Sequence, residues 1–374
     1  MSTNETDLKA FGQAIQKLIC RQDLSETETY SLFKEILENR QPDLQQGAFL
    51  AALVAKRETA GEIVGAWRAI LEFDTTLATG PLPDILCENS GTGMDKLKTF
   101  NVSSAAAIVA AACGVAMARH GARALTSFCG TVDILESVGV DVECDIETVT
   151  GSIRRAGIGL YNGMSGKVHP SALGRILSQI RFGSTLNIAA SLANPARPTH
   201  AVRGVYSEAL LPLLAEVMPA MGYVRGLVVH GQDRQHPGGM DELSITGTTF
   251  IREFTGQNVP SIYQLEPEDL GLKAASFTDI ATTGNLITER RRFLHVLAGR
   301  DTGACADFTA LNSAAVLFAT GRANSMAQGL SMSQETLGKG AALEKLRDWT
   351  VAQTSSGGGA STLGQALHDA GLPS

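Results

Sequence analysis

The sequence predicts an α/β protein in two parts, a small helical-bundle domain and a larger α/β domain with a mostly parallel central sheet. Three observations carry this. From about Leu8 to Phe73 the apolar positions recur at helical spacing, with no strand-like run. Beyond Pro83 short apolar runs alternate with helical stretches. The chain has 374 residues, 44% of them hydrophobic, enough for two domains of ordinary size.

The bundle, residues 1–75, reads as roughly four helices. Start signals stand at Ser25-Glu26-Thr27-Glu28 and Thr59-Ala60-Gly61-Glu62, where a hydroxyl and a carboxylate can satisfy each other's helix end. Residues 75–83 form a connector. Candidate strands follow at 85–87, 116–119 and 225–229, with helical stretches at 103–113, 133–138, 146–156 and 208–221 to cover the sheet. A further helix near 170–179 is expected to pack back on the bundle, so that about 170–190 completes the first domain. Residues 245–292 mix strand-like runs such as 261–265 with turns, and helices return at 309–319 and 325–338, within an α/β domain spanning 80–350. The segment 351–374 contains Ser355-Ser356-Gly357-Gly358-Gly359 and reads as a flexible tail.

Net charge is −7 with 31 Lys and Arg, which argues against a general nucleic-acid surface, so any anion site must be built locally. No apolar run reaches the roughly 18 residues of a membrane span. The amino terminus has no signal-peptide pattern, and the six cysteines are dispersed without metal or redox spacing. Reduced thiols in the cytoplasm are expected. Cys129 is read as a packing residue and His236 as solvated.

Three loops carry chemistry. Gly91-Thr92-Gly93-Met94-Asp95 follows an apolar run and leads through Thr99 to Asn101, Ser103 and Ser104, polar caps on an alanine-rich helix. Small residues admit a charged ligand to the backbone, and helix-start amides point at it. Arg119-His120-Gly121-Ala122-Arg123, followed by Thr126, Ser127, Gly130 and Thr131, comes after a second strand and would face the same crevice. Gly238-Gly239-Met240-Asp241-Glu242 follows a third strand, and adjacent carboxylates opposite a phosphate cradle offer the hard oxygen ligands Mg²⁺ needs.

Taken in order, these segments resemble the anthranilate phosphoribosyltransferase family, of nucleoside phosphorylase class II architecture, from about residue 8 to 348. Asp43-Leu44-Gln45-Gln46-Gly47 in the bundle and Ala310-Leu311-Asn312-Ser313 near the end add to the similarity. The resemblance implies a magnesium-dependent glycosyltransferase of tryptophan biosynthesis, moving phosphoribosyl from phosphoribosyl pyrophosphate to a small aromatic amine, anthranilate leading. It also implies a homodimer. By position, Gly91, Met94, Asp95, Thr99, Asn101, Val102, Ser103 and Ser104 would hold phosphoribosyl pyrophosphate, completed by Arg119, His120, Gly121, Arg123, Ser127 and Thr131. Ser103, Asp241 and Glu242 match the metal ligands. Gly91, Ala122, His169 and Arg175 would face the acceptor, and no residue is assigned as an acid or base.

The chain departs from the family at Met94, where the family has glycine, and at Arg119 and Ala122, where it has lysine and asparagine. The family's carboxylate-binding arginine falls on Leu177, with Arg175 or Arg181 as replacements after a slip in register. A Gly-Pro pair becomes Ala190-Ser191. These departures leave open a different aromatic or heterocyclic acceptor. A non-catalytic paralogue binding nucleic acid or another ligand is the alternative from another class, opposed by the acidic balance and the Asp241-Glu242 pair.

Overall fold

A computed structural model describes residues 5–123, 129–180, 182–256, 258–355 and 357–373. Four helices open the chain: α1 (Glu5–Ile19), α2 (Glu26–Leu37), α3 (Asp43–Lys56) and α4 (Ala60–Phe73). Both expected start signals form. Ser25 with Glu28, and Thr59 with Glu62, close capping boxes on α2 and α4. Glu62 also receives Lys56 Nζ at 2.9 Å in a buried pair, tying the end of α3 to the start of α4. Helices α2 and α4 approach closely at Gly65, where a Cβ would lie 2.4 Å from the Glu26 carbonyl oxygen. The bundle's Phe11, Phe33, Phe49 and Ile70 share one core with Leu173, Ile176, Leu186 and Ile188.

The larger part begins β1 (Leu86–Ser90), α5 (Val102–Ala112), β2 (Ala116–Gly121), α6 (Thr131–Ser137), α7 (Ile146–Ala156) and β3 (Ile158–Asn162). It continues α8 (Leu173–Gln179), α9 (Thr185–Ala189), β4 (His200–Gly204), α10 (Leu211–Ala220) and β5 (Arg225–Gln232). These five strands are parallel in the order β3-β2-β1-β4-β5. The chain builds outward from β1 in one direction and then returns to its other side, so a topological switch lies between β1 and β4. Open α/β sheets bind ligands at the carboxyl ends of strands near such a point. Beyond β5, the short β6 (Gly239–Met240), β7 (Thr249–Thr255) and β8 (Ser261–Leu265) run antiparallel to their neighbours.

The chain ends in α11 (Phe277–Ile280), α12 (Leu286–Leu297), α13 (Ala304–Ala319), α14 (Met326–Gly338), α15 (Ala341–Ala352) and α16 (Gly359–Asp369). Buried residues of α12 to α16 form one core with α5 and the adjoining sheet face. The flexible tail expected over 351–374 is corrected by α16, which buries Leu363, Ala366 and Leu367 at helical spacing. Gly139 and Gly359 permit its docking, since a Cβ on Gly139 would lie 2.3 Å from the Gly359 carbonyl oxygen. Helix α12 also replaces part of the turn-rich stretch expected over 245–292.

Candidate active site

Beyond the carboxyl ends of β1, β2 and β3 opens a cleft of about 620 Å³. The loop after β1 forms one wall. Its backbone turns at Gly93, with φ +74°. At Gly91 a Cβ would lie 2.2 Å from the Asp241 carboxylate, so only glycine lets the two loops meet. The Gly93 N–H donates to Asp241 Oδ2 at 2.6 Å, and the Tyr206 N–H donates to Thr92 Oγ1 at 3.1 Å, pinning the loop. Thr99 bridges to Ala281 at the loop's far end.

Val102, Ser103 and Ser104 make the first turn of α5, facing the cleft. Asn101 stands at the cap position without capping. Its Nδ2 donates instead to the Cys129 carbonyl at 3.3 Å, and Ser104 Oγ is buried without a partner, which corrects the expected polar caps. The first-turn amides therefore have no side-chain acceptor of their own, the condition for holding an anion.

The carboxylates of Asp95, Asp241 and Glu242 each offer an oxygen within 4.8 Å of the others. Asp95 and Asp241 are buried. Burial, followed by the charge of Asp241, pushes the Asp95 carboxyl up to about 7, although Lys98 Nζ lies 2.8 Å from its Oδ1. Burial also raises Glu242 well above the usual range, with Asp241 and then Asp95 adding to it, and Glu242 Oε2 has no hydrogen-bond partner. Ser103, Asp241 and Glu242 line a small recess behind the cleft. Mutually repelling carboxylates with an orphaned oxygen suit a hard divalent cation.

The end of β2 supplies the opposite wall. Arg119 is almost fully buried, and its NH1 donates to Asn89 Oδ1 at 3.2 Å and to the Ser103 carbonyl, while NH2 reaches Thr131 Oγ1 at 3.4 Å. It brings positive charge behind the helix start. Gly121 accommodates Thr131, whose Cγ2 would lie 2.8 Å from a Cβ there. Arg123 lines the cleft with its guanidinium held by Glu136 at 2.7 Å and Asp133 at 3.2 Å. Ser127 and Thr126 lie outside the described residues.

His120 and His169 meet at the inner end, Nε2 to Nε2 at 3.1 Å, and His169 Nδ1 lies 2.6 Å from the Asp74 carbonyl. Burial depresses both, His120 to about 3. Ala122, Leu173, Leu177, Ile180, Phe182 and Leu186 give the rest of this side an apolar lining. Met94 reaches over to it: a Cβ on Gly183 would lie 1.8 Å from Met94 Cε.

Arg175 is not in the cleft. Its guanidinium donates to Gln46 Oε1 at 3.1 Å and the Ile36 carbonyl at 2.8 Å, inside the helical domain. Two residues on a helix differ by about 200° in direction, so with Leu177 facing the cleft, Arg175 turns away. Arg181 lies outside the described residues. Two residues that the sequence did not single out are Ser90, which lines the cleft together with Ser191 of the Ala190-Ser191 departure, and Arg203 behind them. The one available signal was an arginine inside the otherwise small and apolar Ala-Val-Arg-Gly-Val run.

Residues 84–343 match a family model described as glycosyl transferase family, a/b domain, and residues 12–74 match its helical bundle domain. The chain is 38% identical over 337 residues to anthranilate phosphoribosyltransferase of Desulfotalea psychrophila, covering 89% of this chain and 94% of that one. It is 36% identical to the enzyme of the same name from Anaeromyxobacter dehalogenans, over 91% and 98% of the two chains. The Thermus thermophilus anthranilate phosphoribosyltransferase structure superposes with TM-score 0.82 at 31% identity, over 91% and 99% of the chains. That of Saccharomyces cerevisiae with PRPP and Mg superposes at 0.81 with 24% identity, over 95% and 100%, a likeness of fold.

Proposed function

We propose a reaction for the cleft from one premise: the chain belongs to the anthranilate phosphoribosyltransferase family. It transfers the phosphoribosyl group of phosphoribosyl pyrophosphate to anthranilate, using Mg²⁺, in tryptophan biosynthesis. The observation that carries the reading is the facing of two loops, the glycine turn at Gly91 and Gly93 against the carboxylates Asp241 and Glu242, with Asp95 beside them.

In this reading the first turn of α5, with Ser103 and Ser104, receives the phosphate groups, and Arg119 behind it supplies charge that the acidic chain otherwise lacks. Asp95, Asp241, Glu242 and the Ser103 hydroxyl are the oxygen donors for the cation. When bound, Mg²⁺ offsets the negative charge that develops on the departing pyrophosphate. The anthranilate nitrogen attacks the anomeric carbon, the bond to pyrophosphate breaks, and the amine gives up one proton. Alignment between two walls and exclusion of water do much of the work, and the amine needs no strong base. His120, depressed to about 3 by burial, fits the role of a neutral wall to the acceptor.

The assembly proposed is a homodimer through the helical domain, supported by Leu44, 88% exposed, and Ile19, 62% exposed. The cytoplasm is the proposed location, supported by six free cysteines. Incubating the protein with phosphoribosyl pyrophosphate, Mg²⁺ and a panel of aromatic amines tests the acceptor. Anthranilate is expected to be consumed fastest; its persistence while another amine disappears would reject the assignment.

A further inference from the structure

The acceptor side of the cleft poses a problem of charge. Anthranilate carries a carboxylate, yet the position where the family places a carboxylate-binding arginine holds Leu177, and Arg175 is spent inside the helical domain. A carboxylate against Leu173, Leu177 and Leu186 would lose its hydration without compensation. Some donor must face it.

Among the described residues two guanidiniums are buried beside the cleft, Arg119 behind the start of α5 and Arg203 behind the acceptor side, and Arg203 is the one suited to the task. Arg203, on the central strand β4, is 0% exposed and pairs in register with Ser90 of β1. Its NH1 donates to Ser90 Oγ at 2.6 Å and its NH2 to Ser191 Oγ, while Nε has no partner. Both serines line the cleft, Ser90 also bordering the recess of Asp241 and Glu242, and the Ser191 carbonyl lies 3.4 Å from His120 Nδ1. Arg203 therefore projects its charge to the acceptor wall through two serines.

That charge is poorly neutralised. Glu88, the carboxylate that acts on it most, spends Oε1 on the Tyr223 hydroxyl at 2.7 Å and Oε2 on Asn194 Nδ2 at 2.9 Å, with no hydrogen bond to Arg203. Arg119, the neighbouring buried cation, also bonds to neutral groups only. Two guanidiniums thus stand behind this wall with Glu88 between them and no hydrogen-bonded carboxylate on either, Asp241 acting on Arg203 only from a distance. The two serines differ in what they can offer. Ser191 Oγ directs its hydrogen at the Asn187 and Ile188 carbonyls, at 2.6 and 2.9 Å, whereas Ser90 Oγ accepts from Arg203 and keeps its own hydrogen to donate. A hydroxyl that accepts from a cation is a strengthened donor.

We infer that Arg203, acting through the Ser90 hydroxyl, reads the carboxylate of the acceptor amine. Ser90 makes the contact and Arg203 is the positioning residue that polarises it. The inference rests on the phosphoribosyl-transfer reading, and its test separates the two. Steady-state constants for anthranilate and for phosphoribosyl pyrophosphate are measured with Mg²⁺ in the unaltered protein and in Ser90→Ala, Ser90→Thr, Arg203→Gln and Arg181→Ala. Absence of transfer in the unaltered protein would defeat the reading itself. Ser90→Ala is expected to raise the KM for anthranilate at least tenfold, with kcat and the KM for phosphoribosyl pyrophosphate within about twofold, and Ser90→Thr to restore it. Arg203→Gln follows the same split if it folds; Ser90→Ala and Ser90→Thr decide the matter without it. The inference is overturned if Ser90→Ala leaves the anthranilate KM unchanged. It is equally overturned if the phosphoribosyl pyrophosphate KM rises instead, which would place a phosphate there, or if Arg181→Ala alone produces the anthranilate effect.

Discussion

The amide of Gly93 donates to Asp241 Oδ2 at 2.6 Å, joining the glycine loop after β1 to the acidic loop after β6. The join is possible because Gly91 carries no side chain. Gly91→Ala is expected to push the Asp241 carboxylate aside and lower kcat/KM by on the order of 100-fold with little loss of thermal stability. An active Gly91→Ala enzyme with unchanged magnesium dependence would contradict this.

Burial, and then the charge of Asp241, push the Asp95 carboxyl up to about 7. A cation takes the ionised form, so binding must expel the proton held below that pH. Magnesium affinity is expected to rise as pH climbs from 6 to 8. Calorimetry at pH 6.5 in buffers of different ionisation enthalpy should record proton release, and identical heats in all buffers would refute the coupling.

His120, buried against His169, has its pKa depressed to about 3. An unfolded histidine near 6.5 binds protons that the folded one refuses, so stability is full above about 6.5 and falls as pH drops toward 3. Denaturant unfolding should show roughly 2 kcal/mol less stability at pH 5 than at pH 7 from this group. His120→Gln should flatten that difference; an undiminished slope would show that other groups cause it.

Leu367 of α16 is 0% exposed in the core of the larger domain. Leu367→Ala is expected to cost about 2–4 kcal/mol, and deletion beyond residue 353 to cost more. Unchanged unfolding midpoints would restore the view of this segment as a dispensable tail.

Met94 Cε occupies the space that a Cβ on Gly183 would need, at 1.8 Å. Gly183→Ala should therefore displace the Met94 side chain into the cleft and raise the KM for phosphoribosyl pyrophosphate several-fold. Met94→Gly in the same protein should reverse it, and additive effects in the double variant would deny the contact.

What could be read from the sequence follows from how local each signal is. The capping pairs Ser25–Glu28 and Thr59–Glu62 act within four residues, and the three glycine or acidic loops each follow a strand. Arg203 was marked only by its place in the small, apolar Ala-Val-Arg-Gly-Val run, and its meaning depends on Ser90, distant in the chain and adjacent only in the sheet. Arg175 misled because its residue type fits the chemistry while its direction on α8 is set by the packing of Leu173 and Ile176. The periodic Leu363, Ala366 and Leu367 were present, but the serine and glycine run before them suggested disorder.

Phosphoribosyl transfer at the Asp241–Glu242 loop is expected to depend on magnesium. Its most direct measurement follows anthranilate fluorescence and pyrophosphate release together, with Mg²⁺ and with chelator, in the unaltered protein and in Asp241→Asn/Glu242→Gln. One pyrophosphate is expected per anthranilate consumed, with turnover abolished by chelator, restored by excess Mg²⁺, and absent from the double variant. Pyrophosphate released without loss of anthranilate, or full turnover in the double variant, would show that the Asp241–Glu242 loop does not hold the cation for transfer to anthranilate.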